Sequence, residues 1–244
     1  MTEAKHHRKI QSFVKRSGRL SKGQSLGLNE LWSDFGIDVD SSTLDFEEIF
    51  SNQNDVTLEV GFGNGDSLLE MAIQEPNQNF LGIEVYEAGV GRLINEANKK
   101  NVGNLKVIKE DAVEVLENNV ADDSISNFQL FFPDPWHKKR HHKRRIVQMG
   151  FLDLLSKKLK SNGTAHIATD WQDYAEHIME TLESHPHFKN LAGDHIYSER
   201  PEYRPLTKFE NRGQKLGHGV WAVSYTHLRA HETPEQLVCR VLLE

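Results

Sequence analysis

The sequence predicts an α/β fold built on a doubly wound, mostly parallel sheet. Two observations predict it. From Val56 onward, short apolar runs alternate with stretches that carry apolar residues at helical spacing. The first apolar run also ends in a glycine-rich turn, Gly61-Phe62-Gly63-Asn64-Gly65, that opens a helical stretch. Strands alternating with helices imply βαβ units and a parallel sheet.

The elements follow in order. Residues 1–30 are polar, basic and without sustained period, and read as an arm. Leu44–Phe50 is a short amphipathic helix. Val56–Val60 is the first strand. Asp66–Gln74 is a helix that puts Leu68, Leu69, Ala72 and Ile73 on one face. Phe80–Val85 is the second strand and Glu87–Lys100 the second long helix. Leu105–Lys109 is a third strand, followed by a helix at Ala112–Asn118. Ile125–Phe132 is a fourth strand, stopped by Pro133. Lys143–Lys160 reads as one long helix with Ile146, Phe151, Leu154 and Leu155 inward. Gly163–Ala168 is a fifth strand and Asp173–Ser184 a further helix. The expected organisation is an arm over 1–43, a catalytic domain over 44–223 and an atypical tail over 224–244.

Composition narrows the function classes. The 244 residues are 37% hydrophobic and 27% charged, which suits a globular chain and excludes a disordered or fibrous one. No apolar run approaches the ~20 residues that span a bilayer. Met1–Lys22 is basic and lacks the apolar stretch of a secretory signal, so a cytoplasmic protein is expected. The single cysteine, Cys239, excludes an internal disulfide, and His141 and His142 are adjacent, a poor spacing for chelation. No metal site is expected.

The net charge of −7 hides a sharp division. Residues 1–23 carry a net of +6, residues 29–134 a net of −17, residues 137–145 a net of +6 and residues 146–244 a net of −2. Basic charge is thus confined to two segments of an acidic molecule. Each segment could be a solvated surface run, but two of them flanking a catalytic-looking centre point to a polyanion such as RNA.

The glycine turn suggests a nucleoside ligand. Gly61, Gly63 and Gly65 allow a tight turn and close approach of a ligand to the backbone. Glu84 ends the second strand, nineteen residues after Gly65, where an acid can bind ribose hydroxyls. Asp111 follows the third strand, and Glu59 precedes the turn. The spacing is G-x-G-x-G rather than the G-x-G-x-x-G of dinucleotide sites, and a nicotinamide cofactor brings a pyrophosphate. A pocket edged by Glu59, Glu84 and Asp111 suits cationic S-adenosylmethionine better. Any one of these acids could instead cap a helix or lie at the surface.

The fourth strand closes on Phe131-Phe132-Pro133-Asp134-Pro135-Trp136-His137-Lys138-Lys139. Two prolines fix the chain around Asp134 and hold a carboxylate at the carboxyl edge of the sheet. Trp136 either offers a face for base stacking or is buried in the turn. The run FPDPWHKKRHHKRR resembles the signature of the bacterial tRNA (guanine-N7-)-methyltransferases, which modify guanine 46 in the variable loop. Further similarities lie in order: SFVKRSGR at residues 12–19, LEVGFGNG and GIEV, Ala168-Thr169-Asp170-Trp171, and Arg204–Glu210 running on through Leu216–Trp221.

The resemblance, which spans about residues 10–223, implies a Rossmann-like methyltransferase fold and S-adenosylmethionine as methyl donor. Glu59, Gly61, Gly63, Gly65, Glu84, Asp111 and Asp134 would contact the cofactor, with Asp134 the catalytic residue. Lys138, Asp170, Thr207, Lys208, Phe209 and Glu210 would hold the substrate. Arg140, His141, His142, Lys143, Arg144 and Arg145 would meet the RNA backbone, and the enzyme would need no second subunit. Asp170 could alternatively cap the helix that follows it. Departing from the family pattern, AVSYTHLRAHETPEQLVCRVLLE from Ala222 onward reads as a foreign or read-through appendage, with a helix starting near Thr233. A non-catalytic tRNA-binding module of the same fold, or a nicotinamide-dependent oxidoreductase, are the competing readings.

Overall fold

The computed structural model describes residues 11–14, 18–206, 210 and 219–228. Seven strands form one sheet in the order β3-β2-β1-β4-β5-β7-β6. They are β1 (Val56–Val60), β2 (Asn79–Ile83), β3 (Leu105–Ile108), β4 (Ile125–Phe131), β5 (Leu159–Thr169), β6 (Phe188–Asn190) and β7 (Trp221–His227). The first five are mutually parallel, while β7 runs antiparallel to both β5 and β6.

β1 and β2 are buried at every residue, as strands covered on both faces must be. On one side pack α4 (Asp66–Gln74) and α5 (Glu87–Lys99), through residues such as Leu68, Leu93 and Ile94. On the other pack α6 (Ala112–Asn118), α7 (Met149–Lys158) and α8 (Gln172–Glu183), through Leu116, Leu152, Leu155 and Ile178. Strand order reverses between β1 and β4. That switch point is where open α/β sheets bind ligands, at the carboxyl ends of the strands. Among the described residues, no helix is long and apolar enough to cross a membrane.

The expected elements stand, with five corrections. The stretch after residue 20 is no free arm. Ser21 caps α1 (Lys22–Asn29) in a reciprocal capping box with Gln24. α1 then crosses α5 so closely that a Cβ on Gly27 would sit 2.1 Å from the Gly91 carbonyl. α2 (Trp32–Phe35) follows, and Gly36 bridges to Val107 on β3. The short helix expected from Leu44 begins at Phe46, as α3 (Phe46–Phe50), because Asp45 caps it by accepting from the N–H of Glu47 and Glu48.

The single helix expected over Lys143–Lys160 is three elements. Residues 139–144 form a 3₁₀ turn, residues 145–148 are non-helical, and α7 starts at Met149. Like charges three and four residues apart oppose a regular helix through this run. Val147 and Arg145 are buried instead. Leu159 already belongs to β5, paired with Ile125.

β2 stops at Ile83 because the Glu84 carboxylate takes the N–H groups of Val85 and Tyr86. Finally, the boundary drawn after Val223 falls inside β7. The strand continues to His227, with Tyr225 fully buried. The helix expected near Thr233 lies outside the described residues.

Candidate active site

The carboxyl ends of β1 to β4 open on a cavity of about 420 Å³. Glu59, Gly61, Gly63, Gly65, Glu84, Asp111 and Asp134 all line it. Gly61 and Gly63 have φ of 72° and 58°, and a Cβ on either would meet nothing within 4 Å. Their bare backbone therefore faces open space that a ligand can fill. Gly65 differs: a Cβ there would press on Leu93 at 2.8 Å, so it serves helix packing. Gly89 was not expected, and a Cβ on it would lie 1.9 Å from the Gly63 carbonyl. It lets α5 support the turn from beneath.

The three acids have distinct surroundings. Glu84 is engaged with backbone: its Oε2 accepts from the Gly63 N–H at 2.8 Å and its Oε1 from Val85 and Tyr86. It braces the glycine turn. Asp111 caps α6 by accepting from the Val113 N–H at 2.9 Å, and lines the cavity as well. Asp111 therefore caps a helix and faces the cavity at once. Glu59 is buried, and its Oε2 has no hydrogen-bond partner among the described residues. Burial, and next the nearby Glu84, push its carboxyl up to about 8. A cationic ligand would satisfy that oxygen and restore its charge.

Asp134 is exposed at the end of β4, in a loop of unusual backbone. Phe132 has φ of 53° and Trp136 of 48°, left-handed values that cost a non-glycine residue roughly 1–3 kcal/mol. The Phe132 N–H donates to the Ala168 carbonyl at 2.8 Å. From the other side Arg145 donates through Nε to the Pro135 carbonyl at 2.9 Å, ion-pairs with Asp173 and lies over the Tyr174 ring.

Arg145 is accordingly a correction to the sequence reading: its guanidinium is buried and holds the Asp134 loop, so it does not face RNA. Arg144 is likewise turned inward, stacked on Trp136 at 3.7 Å, which covers a face of the indole expected to receive a base. Lys138, Lys139, Arg140 and Lys143 are exposed, while His141 and His142 are half-buried. Desolvation and the neighbouring cations, Arg140 first among them, lower the His141 pKa.

Asp170 is half-buried and does not cap α8, whose N-cap is Trp171 with no side-chain cap. Trp171 is 41% exposed and packs edge-on against His137 at 4.1 Å. Glu210 is the second correction. Both its oxygens receive the Arg204 guanidinium, at 2.8 and 2.9 Å, in a buried ion pair over Phe131. Its carboxylate is committed to Arg204 within the protein. Thr207, Lys208 and Phe209 lie outside the described residues. Among the described residues, no group of three or more His, Cys, Asp or Glu could hold a metal ion.

Comparison with known proteins agrees with this geometry. Residues 53–223 match the family model described as "Putative methyltransferase". The crystal structure of the 16S rRNA methyltransferase KamB superposes with a TM-score of 0.54, covering 91% of this chain and all of that one at 15% identity. The fold and site thus define a Rossmann-like methyltransferase. Over 222 residues the chain is 53% identical to the tRNA (guanine-N(7)-)-methyltransferase of Vibrio parahaemolyticus, covering 91% of this chain and 93% of that one. Over 218 residues it is 52% identical to that of Shewanella amazonensis, covering 89% and 92%. The chain belongs to the tRNA (guanine-N7-)-methyltransferase family.

Proposed function

We propose that the chain methylates N7 of guanine 46 in the tRNA variable loop, with S-adenosylmethionine as donor, acting in the cytoplasm without a second protein subunit. The observation that carries this reading is one juxtaposition. A cavity holding a buried carboxylate, one oxygen of which has no partner among the described residues, meets the Asp134 loop, which continues directly into the exposed cations Lys138, Lys139, Arg140 and Lys143.

The residues present suit S-adenosylmethionine. Glu59 offers a dry carboxylate to a cation, the Gly61–Gly63 backbone is open to close approach, and Glu84 and Asp111 stand at the rim where hydroxyls can be met. When bound, the cofactor supplies an electrophilic methyl group.

The remaining work falls to this chain. Guanine N7 is a free lone pair on the major-groove edge, so no proton has to leave it. The protein must hold that atom in line with the donor, a gain of proximity and orientation. It must also stabilise the positive charge that develops on the purine. Asp134 is at the cavity edge, and its carboxylate can accept the N–H donors of the base and offset that charge. Asp170 can accept from the same edge, and Trp171 with His137 presents an aromatic surface to a splayed base. The four exposed cations engage phosphates, which makes binding steeply salt-dependent.

The test is methyl transfer by the chain alone from labelled S-adenosylmethionine to tRNA lacking 7-methylguanosine, read by nucleoside mass spectrometry and by mapping the modified position. Label in 7-methylguanosine at position 46 is expected. Label at another base, or cofactor binding without transfer, would overturn the reading.

A further inference from the structure

Residues 11–14 lie across the cofactor cavity: Ser12, Phe13 and Val14 form part of its wall. What holds them there is the root of the basic run. Arg144 donates from Nε to the Gln11 carbonyl at 2.9 Å and from Nη2 to the Phe13 carbonyl at 3.0 Å. Trp136 donates from Nε1 to the intervening Ser12 carbonyl at 3.0 Å. Three consecutive carbonyls are thus captured by two side chains. Those side chains are locked to each other, with the guanidinium 3.7 Å from the indole centroid. Arginine suits this role and lysine does not, because the planar fork donates in two fixed directions while stacking on a ring.

We propose that Arg144 and Trp136 are positioning residues, a latch that holds segment 11–14 over the cavity and sets how tightly the methyl donor is retained. The proposal rests on the reading that this cavity takes S-adenosylmethionine. It divides the basic run by function. Lys138, Lys139, Arg140 and Lys143 face outward to phosphate, whereas Arg144 faces the protein's own backbone.

The experiment is calorimetric titration of the full chain with S-adenosylmethionine, without RNA, for wild type, Arg144→Ala, Arg144→Lys, Trp136→Phe and Lys143→Ala. Unchanged thermal melting serves as the check on folding. Loss of the fork is expected to weaken the Kd about tenfold, the worth of one charge-assisted hydrogen bond. Arg144→Lys should remain weakened about fivefold or more despite keeping its charge. Trp136→Phe, which keeps a ring but loses the N–H, should weaken binding about threefold. Lys143→Ala should leave the cofactor Kd unchanged but weaken tRNA binding and reduce its salt slope by about one.

In turnover, the Arg144 variants should raise KM for the donor while kcat stays within about twofold. A Kd within twofold of wild type for Arg144→Ala, or full recovery by Arg144→Lys, would show an ordinary charge contact and overturn the latch. Failure of wild type to bind S-adenosylmethionine would instead overturn the cofactor reading, and the latch with it.

Discussion

Replacing Glu59 with Gln removes one titrating group and keeps its shape. In the ligand-free protein, burial and then the neighbouring Glu84 raise this carboxyl from 4.5 to about 8. Between those values the folded chain keeps a proton that the unfolded chain has released. Stability therefore falls as pH rises through that window, and is flat in this group below 4.5 and above about 8. One pKa unit corresponds to about 1.4 kcal/mol, so the whole window amounts to about 5 kcal/mol. The cavity is open to solvent, and relaxation around the carboxylate brings the observable part to roughly 2–5 kcal/mol.

Urea unfolding of wild type and Glu59→Gln, in steps from about pH 5 to 8, measures it directly. Wild type is expected to lose that amount relative to the variant as pH rises. A cationic ligand reverses the shift, so binding should release a proton near neutral pH, seen as a buffer-dependent binding enthalpy in wild type only. Parallel stability curves for the two proteins, with no proton release, would refute the reasoning.

Four further outcomes follow from the same geometry. Asp134→Asn should lower single-turnover methyl transfer by about 100-fold or more while tRNA binding stays within about threefold, since it removes charge stabilisation and not phosphate contacts. Arg204→Ala removes the fork facing a buried Glu210 and should cost about 3–5 kcal/mol in urea unfolding, much of it recovered by Arg204→Met combined with Glu210→Leu. Gly91→Ala places a Cβ 2.2 Å from the Gln24 carbonyl and should cost about 1–3 kcal/mol by lifting α1 from α5. Gly103→Ala, where a Cβ meets nothing within 4 Å, should change stability by less than about 0.5 kcal/mol.

Much of the site could be read in the chain because its residues follow strands directly. Glu59 lies near the end of β1 and Gly61 follows it, Glu84 follows β2, Asp111 follows β3 and Asp134 follows β4, so strand assignment placed them on one edge together. Side-chain direction could not be read. Arg140, Lys143, Arg144 and Arg145 are equivalent in a charge count, yet two face solvent, one grips residues 11 and 13 and one is buried under Asp134's loop. Their partners are the Pro135 carbonyl, Asp173 and carbonyls some 130 residues away in sequence. Glu210 resembled a substrate reader for the same reason: Arg204 is close in sequence, but only the packing over Phe131 shows that the two are buried as a pair.

The alternation of strand and helix, the glycine turn and the acids at the strand ends are legible in the chain alone, because these depend on local period and backbone freedom. The tertiary structure decided the rest. It docked α1 on α5 through two glycines, split the expected helix after the basic run, ran β7 back between β5 and β6, and turned Arg144, Arg145 and Glu210 inward. Those outcomes depend on which distant carbonyls and charges come within hydrogen-bond reach once the sheet has formed, and a linear pattern carries no distances of that kind.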